Sequence, residues 1–232
     1  MAIDVDLIAF DADDTLWHTE HLYAQAQEAF YAVLAPYHPL EWVKERLYET
    51  EIENLRHYGY GIKAFALSMV ETAVELSEGR VSGAELRPLL ERTKAMLNAP
   101  VELLDGVEET LARLAPRYPL LMITKGDCFE QGGKIQRSGI AQYFRATEIV
   151  SDKNTAEYRR LFEKHGLRAE RLLMVGNSLR SDILPVLELG GSAVHIPYHT
   201  TWLHEVADPP PADQKGYYQL ERIRQLVDLL GR

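Results

Sequence analysis

The sequence predicts an α/β protein in which a parallel β-sheet core is joined by a separate all-helical domain. After residue 100, short apolar segments alternate with helical ones, a pattern typical of βαβ units and a parallel sheet. From Trp17 to Ala99 the chain has few glycines and carries apolar residues at helical spacing, which predicts three to five helices and no strand. The expected domains are residues 1–16 with 100–232 for the core and residues 17–99 for the helical domain.

The elements of the core follow from short apolar segments bounded by polar or turn residues. These predict strands at residues 5–10, 119–124, 146–150, 171–176 and 192–197. Helices are predicted at 128–137, 155–165 and 180–189, and a last helix near 217–230 follows a loop rich in proline and aspartate at 207–213. Because the first strand precedes the helical segment and the others follow it, the helical domain is expected to be an insertion into the core.

Composition restricts the function classes. The 232 residues are 46% hydrophobic, which is enough for a core without disulfides, and the single Cys128 excludes an intramolecular one. The net charge of −10 argues against a nucleic-acid-binding protein, although one metal ion and one lysine can still attract a small anion locally. No apolar run reaches the roughly 20 residues that span a membrane, and the first residues lack the basic character of a secretory signal. We expect a cytoplasmic monomer or homodimer.

Polar residues follow four of the predicted strands. The four segments are FDADDT (10–15), TKGD (124–127), VSDKN (150–154) and GNSLRSD (176–182). In a parallel α/β sheet, ligands bind outside the carboxyl ends of the strands. The segments are therefore expected to converge on one crevice, although each alone would be weak support for a site.

The first segment pairs two carboxylates. Asp11 and Asp13 are two residues apart and would point to the same side of an extended chain. Such a pair suits a hard cation, and Mg²⁺ is commonly held by one or two carboxylates together with substrate phosphate. The alternative for this segment alone is a turn in which aspartates make local hydrogen bonds.

The four segments together resemble the four motifs of the haloacid-dehalogenase-like superfamily. The matching features are DADDT after the first strand, a threonine ending the second, a lysine after the third and G-N-S-x-x-x-D after the fourth. The resemblance covers the whole chain, since the helical insertion is similar to the superfamily's helical cap. It implies a Rossmann-like core, a mobile cap, a Mg²⁺ cofactor and, in most members, phosphatase activity.

The resemblance also implies roles for individual residues. Asp11 would be the nucleophile that takes the phosphoryl group, and Asp13 would protonate the leaving oxygen and then deprotonate water. An aspartate at position 13 favours a phosphatase, because a halide leaving group needs no general acid. Thr124 and Lys153 would hold the phosphoryl oxygens, Lys153 as a fixed positive charge. Taken alone, Thr124 could be a strand former and Lys153 a solvated lysine, although the start of a helix is an unfavourable place for one.

Two motifs depart from the common pattern. Lys125 and Gly126 follow the motif threonine and are predicted to bind substrate, but Lys125 could equally point away. The fourth motif begins with Gly176 and Asn177, whereas the commoner form begins with Gly-Asp. Asp182 is then the main acidic metal ligand of this segment, and Asn177 either a neutral ligand or a hydrogen-bonding partner of one.

The predicted metal ligands are Asp11, Asp13, Asp182 and Asn177. The predicted function is Mg²⁺-dependent hydrolysis of a small phosphorylated metabolite through an aspartyl-phosphate on Asp11. The alternatives are a C–halogen hydrolase of the 2-haloacid dehalogenase type, a sugar-phosphate mutase, and a non-catalytic protein that binds phosphate or metal.

Overall fold

The computed structural model describes residues 3–211 and 213–231 and contains a six-stranded sheet. Its strands are β1 (Leu7–Phe10), β2 (Leu120–Lys125), β3 (Ala146–Val150), β4 (Leu172–Gly176), β5 (Ser192–His195) and β6 (Tyr217–Gln219). They lie in the order β3-β2-β1-β4-β5-β6, and every neighbouring pair is parallel. The predicted α/β class with a Rossmann-like parallel core is confirmed.

Nine α-helices complete the described fold. They are α1 (Glu20–Leu34), α2 (Leu40–Tyr58), α3 (Ile62–Leu76), α4 (Gly83–Leu97), α5 (Val107–Leu114), α6 (Cys128–Arg137), α7 (Thr155–His165), α8 (Leu184–Glu188) and α9 (Gln225–Leu229). Residue contacts divide the chain into a core unit, Met1–His18 with Val101–Arg232, and a helical unit, Thr19–Pro100. Among the described residues, none of these helices is both long and apolar enough to cross a bilayer.

The first strand lies in the middle of the sheet and is buried on both faces. Ile8 and Phe10 pack into one apolar cluster with residues of α5 and α9, whereas Leu7 and Ala9 pack into a second cluster with residues of α7 and α8. Successive side chains of a strand point to opposite faces, so a central strand covered by helices on both sides must be apolar throughout. The continuous apolar run of β1 thus fixes its central position.

The helical unit has its own apolar core. Buried side chains from all four of its helices form one cluster, with Phe30 from α1, Leu47 from α2, Met69 from α3 and Leu89 from α4. These are positions of the helical apolar spacing, because a helix that covers a core needs one apolar face. Four helices lie within the predicted range of three to five.

The fourth βα connection differs from its prediction. The helix expected at 180–189 begins as a π-helical turn over Leu179–Ile183 and continues as α8. In that turn the backbone N–H groups of Asp182 and Ile183 both donate to the carbonyl of Ser178. Pro185 follows as the second residue of α8 and has no backbone N–H to donate to the preceding π-helical turn.

The carboxyl-terminal segment was predicted incorrectly. The structure places a sixth strand, β6, where a helix near 217–230 was expected to begin, and only α9 is α-helical in that stretch. Tyr217 and Tyr218 favour strands, and an edge position beside β5 was open to them. Helix α5 was missed, although its buried residues include Val107, Leu111 and Leu114 at helical spacing. Residues 207–211 and 213 form the predicted loop, and residue 212 lies outside the described residues.

Helix α6 carries an interior glycine that the packing does not require. No atom lies within 4 Å of the position that a Cβ at Gly132 would take, and its φ is not in the left-handed region. Replacing Gly132 with alanine is expected to raise the free energy of unfolding by about 0.5–1 kcal/mol, because alanine loses less backbone entropy in a helix.

Urea unfolding of the Gly132→Ala variant tests this expectation. Gly59→Ala is the matched control, since a Cβ there also meets nothing within 4 Å but the φ is +68°. That left-handed conformation should make the control less stable than the wild type. A loss of stability in Gly132→Ala would contradict the prediction.

Candidate active site

Asp11 stands directly after β1 and is fixed to the sheet. Its backbone N–H donates to the carbonyl of Val175 in β4 at 2.9 Å. Its carboxylate is buried and accepts two hydrogen bonds. The ammonium of Lys153 donates to Oδ1 at 2.5 Å, and the hydroxyl of Thr15 donates to Oδ2 at 2.9 Å. The nucleophile predicted from the sequence therefore has a defined orientation, and Thr15, the last residue of DADDT, is a partner that the sequence analysis did not single out.

Lys153 joins three of the four polar segments. Its Nζ lies 2.5 Å from Asp11 Oδ1 and 2.7 Å from Asp182 Oδ1, and all three side chains are buried. Burial alone would lower the pKa of Lys153, but the two carboxylates outweigh it and hold that pKa above its usual value. Burial raises the pKa of Asp11 to about 7 even though Lys153 opposes the shift. The cluster therefore carries one positive and up to two negative charges.

Asn177 lies against the same carboxylate. Its side-chain amide lies against three oxygen atoms, and with its nitrogen turned to this side it would donate to Oδ2 of Asp11 at 3.2 Å, the hydroxyl of Thr15 at 3.1 Å and the backbone carbonyl of Asp13 at 3.3 Å. The backbone carbonyl of Asn177 is held in turn by Nε2 of His195 at 3.0 Å. The loop after β4 thus brings Asn177 to the end of β1, as the sequence predicted.

Gly176 is needed for close approach rather than for a left-handed turn. A Cβ at this position would overlap the carboxyl group of Asp182, whose Oδ2 accepts the backbone N–H of Ser178 at 3.0 Å. The φ of Gly176 is not positive. The glycine of this motif therefore lets Asp182 fold back onto the strand end and meet Lys153.

The side chain and the carbonyl of Asp13 face different partners. The carboxylate accepts hydrogen bonds from the indole N–H of Trp17 at 2.7 Å, the amide of Gln131 at 2.7 Å and the ammonium of Lys134 at 2.8 and 3.0 Å. The carbonyl faces Asn177. Gln131 and Lys134 were not predicted, although their helix begins directly after the TKGD segment, which places its first turns beside the strand ends.

The second segment is held mostly by its own neighbours. The buried hydroxyl of Thr124 accepts a hydrogen bond from the side-chain amide of Gln131 at 2.9 Å. The backbone N–H of Gly126 donates to the carbonyl of Val150 at 3.0 Å, which ties the ends of β2 and β3 together. A substrate contact at Gly126 stays a prediction, and its backbone N–H already has an acceptor within the protein.

Lys125 takes part in a second buried ion pair. Its ammonium lies 2.5 Å from Glu205 and 3.0 Å from the hydroxyl of Ser181. Glu205 also accepts the hydroxyls of Ser178 and Ser181 at 2.6 and 2.5 Å. Burial would raise the pKa of Glu205, but Lys125 and the hydroxyls lower it to about 2, so the group is ionised. Glu205 lies in a short 3₁₀ turn that the sequence analysis did not identify.

Comparison with known proteins identifies the family. A family model described as haloacid dehalogenase-like hydrolase matches residues 5–190. The chain belongs to this family. The resemblance drawn from the four motifs is confirmed, and the protein is a haloacid dehalogenase-like hydrolase.

Two other hydrolases are similar to this chain. A haloacid dehalogenase-like family hydrolase from Xanthomonas campestris has a solved structure with 38% identity and a TM-score of 0.85, covering 96% of this chain and 88% of that one. The putative HAD-hydrolase YfnB of Bacillus subtilis is 24% identical over 149 residues, which span 62% of this chain and only 60% of YfnB. A YfnB structure bound to magnesium has a TM-score of 0.69 at 17% identity and covers 98% of this chain and 99% of that one.

Two further structures share the fold alone. One is a 2-haloacid dehalogenase from Pseudomonas syringae (23% identity) and the other a predicted phosphoglycolate phosphatase from Haemophilus somnus (20% identity). Each has a TM-score of 0.64 and covers 97% of this chain and 98% of its own. Family membership therefore shows a hydrolase without choosing between these two reactions.

The donor atoms beside Asn177 fit a magnesium ion. Among the described residues, no three His, Cys, Asp or Glu side chains group as metal ligands. The oxygens that do converge are Oδ2 of Asp11 and the carbonyl of Asp13, and the amide of Asn177 could turn its oxygen towards them. Such hard oxygen donors, completed by water and substrate phosphate, are typical of Mg²⁺. Ligation by the Asp13 carboxylate or by Asp182 stays a prediction, and the latter group already contacts Lys153.

Proposed function

We propose that this hydrolase is a Mg²⁺-dependent phosphatase that acts on a small phosphorylated metabolite through an aspartyl-phosphate on Asp11. The observation that carries the proposal is the fixed orientation of the Asp13 carboxylate. Trp17, Gln131 and Lys134 hold this carboxylate in the same loop as the nucleophile. An alkoxide leaving group needs a proton and a halide does not. A precisely held second carboxylate therefore favours a phosphate ester over a haloacid.

The proposed chemistry has two steps. A carboxylate oxygen of Asp11 forms a bond to phosphorus as the bond to the leaving oxygen breaks, and Asp13, which enters this step protonated, gives its proton to that oxygen. Asp13 then takes a proton from water as the water oxygen attacks phosphorus, which releases inorganic phosphate and Asp11. Lys153 orients Asp11 and balances the charge that develops on the phosphoryl oxygens, and Thr124 contacts one of them.

A magnesium ion, held by Asp11, the carbonyl oxygen of Asp13 and Asn177, would supply Lewis-acid stabilisation of the phosphoryl oxygens. A single carboxylate ligand in this set predicts weaker metal binding than in relatives with an aspartate at the position of Asn177. The net charge of −10 supports a small substrate over nucleic acid.

The direct test is release of inorganic phosphate from p-nitrophenyl phosphate and from a panel of phosphorylated metabolites, with Mg²⁺ and with EDTA. We expect release with Mg²⁺ and its loss with EDTA, and the best compound of the panel would indicate the substrate class. An enzyme that binds Mg²⁺ in a separate titration but releases no phosphate from any compound would contradict the proposal.

A 2-haloacid dehalogenase is the second candidate. Asn177 favours it, because a reaction without a metal has no need of a further acidic ligand at that position. This reaction would use Asp11 to displace halide from carbon and would not depend on Mg²⁺. Halide release from 2-chloropropionate that persists in EDTA, without any phosphatase activity, would establish the dehalogenase instead.

A further inference from the structure

Helix α6 buries polar side chains where a core helix would bury apolar ones. Its buried residues are Glu130, Gln131, Lys134 and Ile135, of which three are polar or charged. Lysine and glutamate are almost never fully buried unless they are paired. The buried polar face of α6 therefore needs an explanation in terms of what its side chains contact.

Those side chains meet the first and second motifs. Lys134 Nζ lies 2.8 and 3.0 Å from the two carboxylate oxygens of Asp13 and 3.3 Å from Glu130. The amide nitrogen of Gln131 lies 2.7 Å from Asp13 Oδ2 and 2.9 Å from the Thr124 hydroxyl. Because Gln131 and Lys134 are three residues apart, they share one face of the helix. We call these two side chains the α6 clamp.

The clamp acts on a carboxylate that would otherwise be able to rotate. Asp13 keeps about a quarter of its side-chain surface exposed, whereas Lys134 keeps only 10%. The ammonium contacts both oxygens, so together with Trp17 it fixes the direction of the carboxylate. Lys134 also contacts Glu130, so its ammonium lies between two carboxylates.

We propose that Lys134 is a positioning residue that, with Gln131, aims the Asp13 carboxylate at the leaving-group oxygen. This inference rests on the proposed phosphatase function. A proton donor contributes only when it lies within hydrogen-bond reach of the atom that it protonates. Losing the clamp should therefore slow the reaction most for esters whose leaving group most needs a proton.

The experiment compares two aryl esters in the magnesium-loaded enzyme. p-Nitrophenyl phosphate has a leaving group that departs readily without a proton, and phenyl phosphate has one that does so poorly. We expect Lys134→Met to lower kcat/KM for phenyl phosphate about tenfold more than for p-nitrophenyl phosphate, since general acid catalysis contributes about 10²–10⁴-fold and kcat/KM reports the step in which the leaving group departs. The KM values for both esters should change little, because Lys134 does not contact the phosphoryl group in the proposed arrangement.

Two further variants keep the test informative if Lys134→Met folds poorly. Lys134→Gln is neutral but retains an N–H donor, and Lys134→Arg retains the charge and should recover most of the phenyl phosphate activity. Lys164→Met is the matched control, since that lysine also pairs with a carboxylate, Glu148, but lies on the surface. The control should leave the ratio of the two rates unchanged.

The outcomes separate the inference from the proposed function. A selective loss on phenyl phosphate in the neutral variants, with recovery in Lys134→Arg, supports the positioning role. An equal fall in kcat/KM for both esters would show that Lys134 does not aim Asp13 at the leaving group, and it would overturn the inference while the phosphatase function stands. A wild-type enzyme that releases phosphate from neither ester would overturn both.

Discussion

Replacing Asp11 with asparagine is expected to lower phosphate release by at least about 10³-fold, because the amide cannot form the acyl-phosphate. The carboxylate that would attack is buried and oriented by Lys153 and Thr15. No other carboxylate takes its place, since Asp182 is turned towards Lys153 and Ser178. The measurement is steady-state release of inorganic phosphate from p-nitrophenyl phosphate with Mg²⁺.

The same variant should remain folded. Asparagine has nearly the shape of aspartate, and Lys153 keeps Asp182 as its partner. Burial already raises the pKa of Asp11 to about 7, so a neutral side chain at this position should not destabilise the fold. Thermal unfolding should therefore be close to that of the wild type. Asp105→Asn, an exposed aspartate paired with Arg224, is the control and should keep full activity. Substantial activity in Asp11→Asn would refute the assignment of the nucleophile.

The convergence of the four motifs could be predicted because it depends only on topology. Parallel strands end at the same edge of a sheet, so residues after β1, β2, β3 and β4 lie along one edge whatever their separation in sequence. Lys153 and Asp182 illustrate this, since each reaches the cluster around Asp11 from a different strand. The four strands are neighbours in the sheet, in the order β3-β2-β1-β4, and this order, which the sequence analysis did not predict, brings their ends together.

The direction of individual side chains could not be predicted in the same way. The rule that residues two apart share a side placed Asp11 and Asp13 together, but the chain is no longer extended after β1. Asp14 adopts a positive φ of 60° in the turn, and the carboxylate of Asp13 meets Lys134. Glu205 was missed for a related reason, because its 3₁₀ turn has no apolar period and its partners lie after two other strands.

The site distributes its charge in three lysine–carboxylate groups. Lys153 pairs with Asp11 and Asp182, Lys134 with Asp13, and Lys125 with Glu205. Each lysine is mostly buried, and each therefore depends on its carboxylate partner to offset the cost of losing water. Three lysines face four carboxylates here, so these groups have no surplus of positive charge, and in the proposed function a bound Mg²⁺ would be needed to offset the charge of an anionic substrate.

Replacing Lys153 with methionine should produce the largest loss of stability. Its side chain has 2% exposure, and its ammonium lies between two carboxylates that are themselves buried. Without the cation, nothing would neutralise the repulsion between the buried carboxylates of Asp11 and Asp182. Breaking a buried ion pair from one side typically costs about 3–5 kcal/mol, so the free energy of unfolding should fall by that amount at pH 8.

The pH dependence of this loss identifies its cause. The folded-state pKa of Asp11 is already raised from 3.8 to about 7, and removing Lys153 raises it further. A carboxyl group with a raised pKa binds protons more strongly in the folded state than in the unfolded one, so lowering the pH stabilises the fold. The difference between Lys153→Met and the wild type should therefore shrink as the pH falls from 8 towards 5, since neutral carboxyl groups do not need the cation.

Urea unfolding across this pH range, with two companion variants, completes the test. Lys164→Met removes an exposed lysine that pairs with Glu148 and should cost no more than about 1 kcal/mol. Combining Lys153→Met with Asp182→Asn should restore part of the lost stability, because it removes one of the two opposed carboxylates. A loss below about 1 kcal/mol in Lys153→Met, or one independent of pH, would show that Lys153 does not stabilise the fold by neutralising these carboxylates.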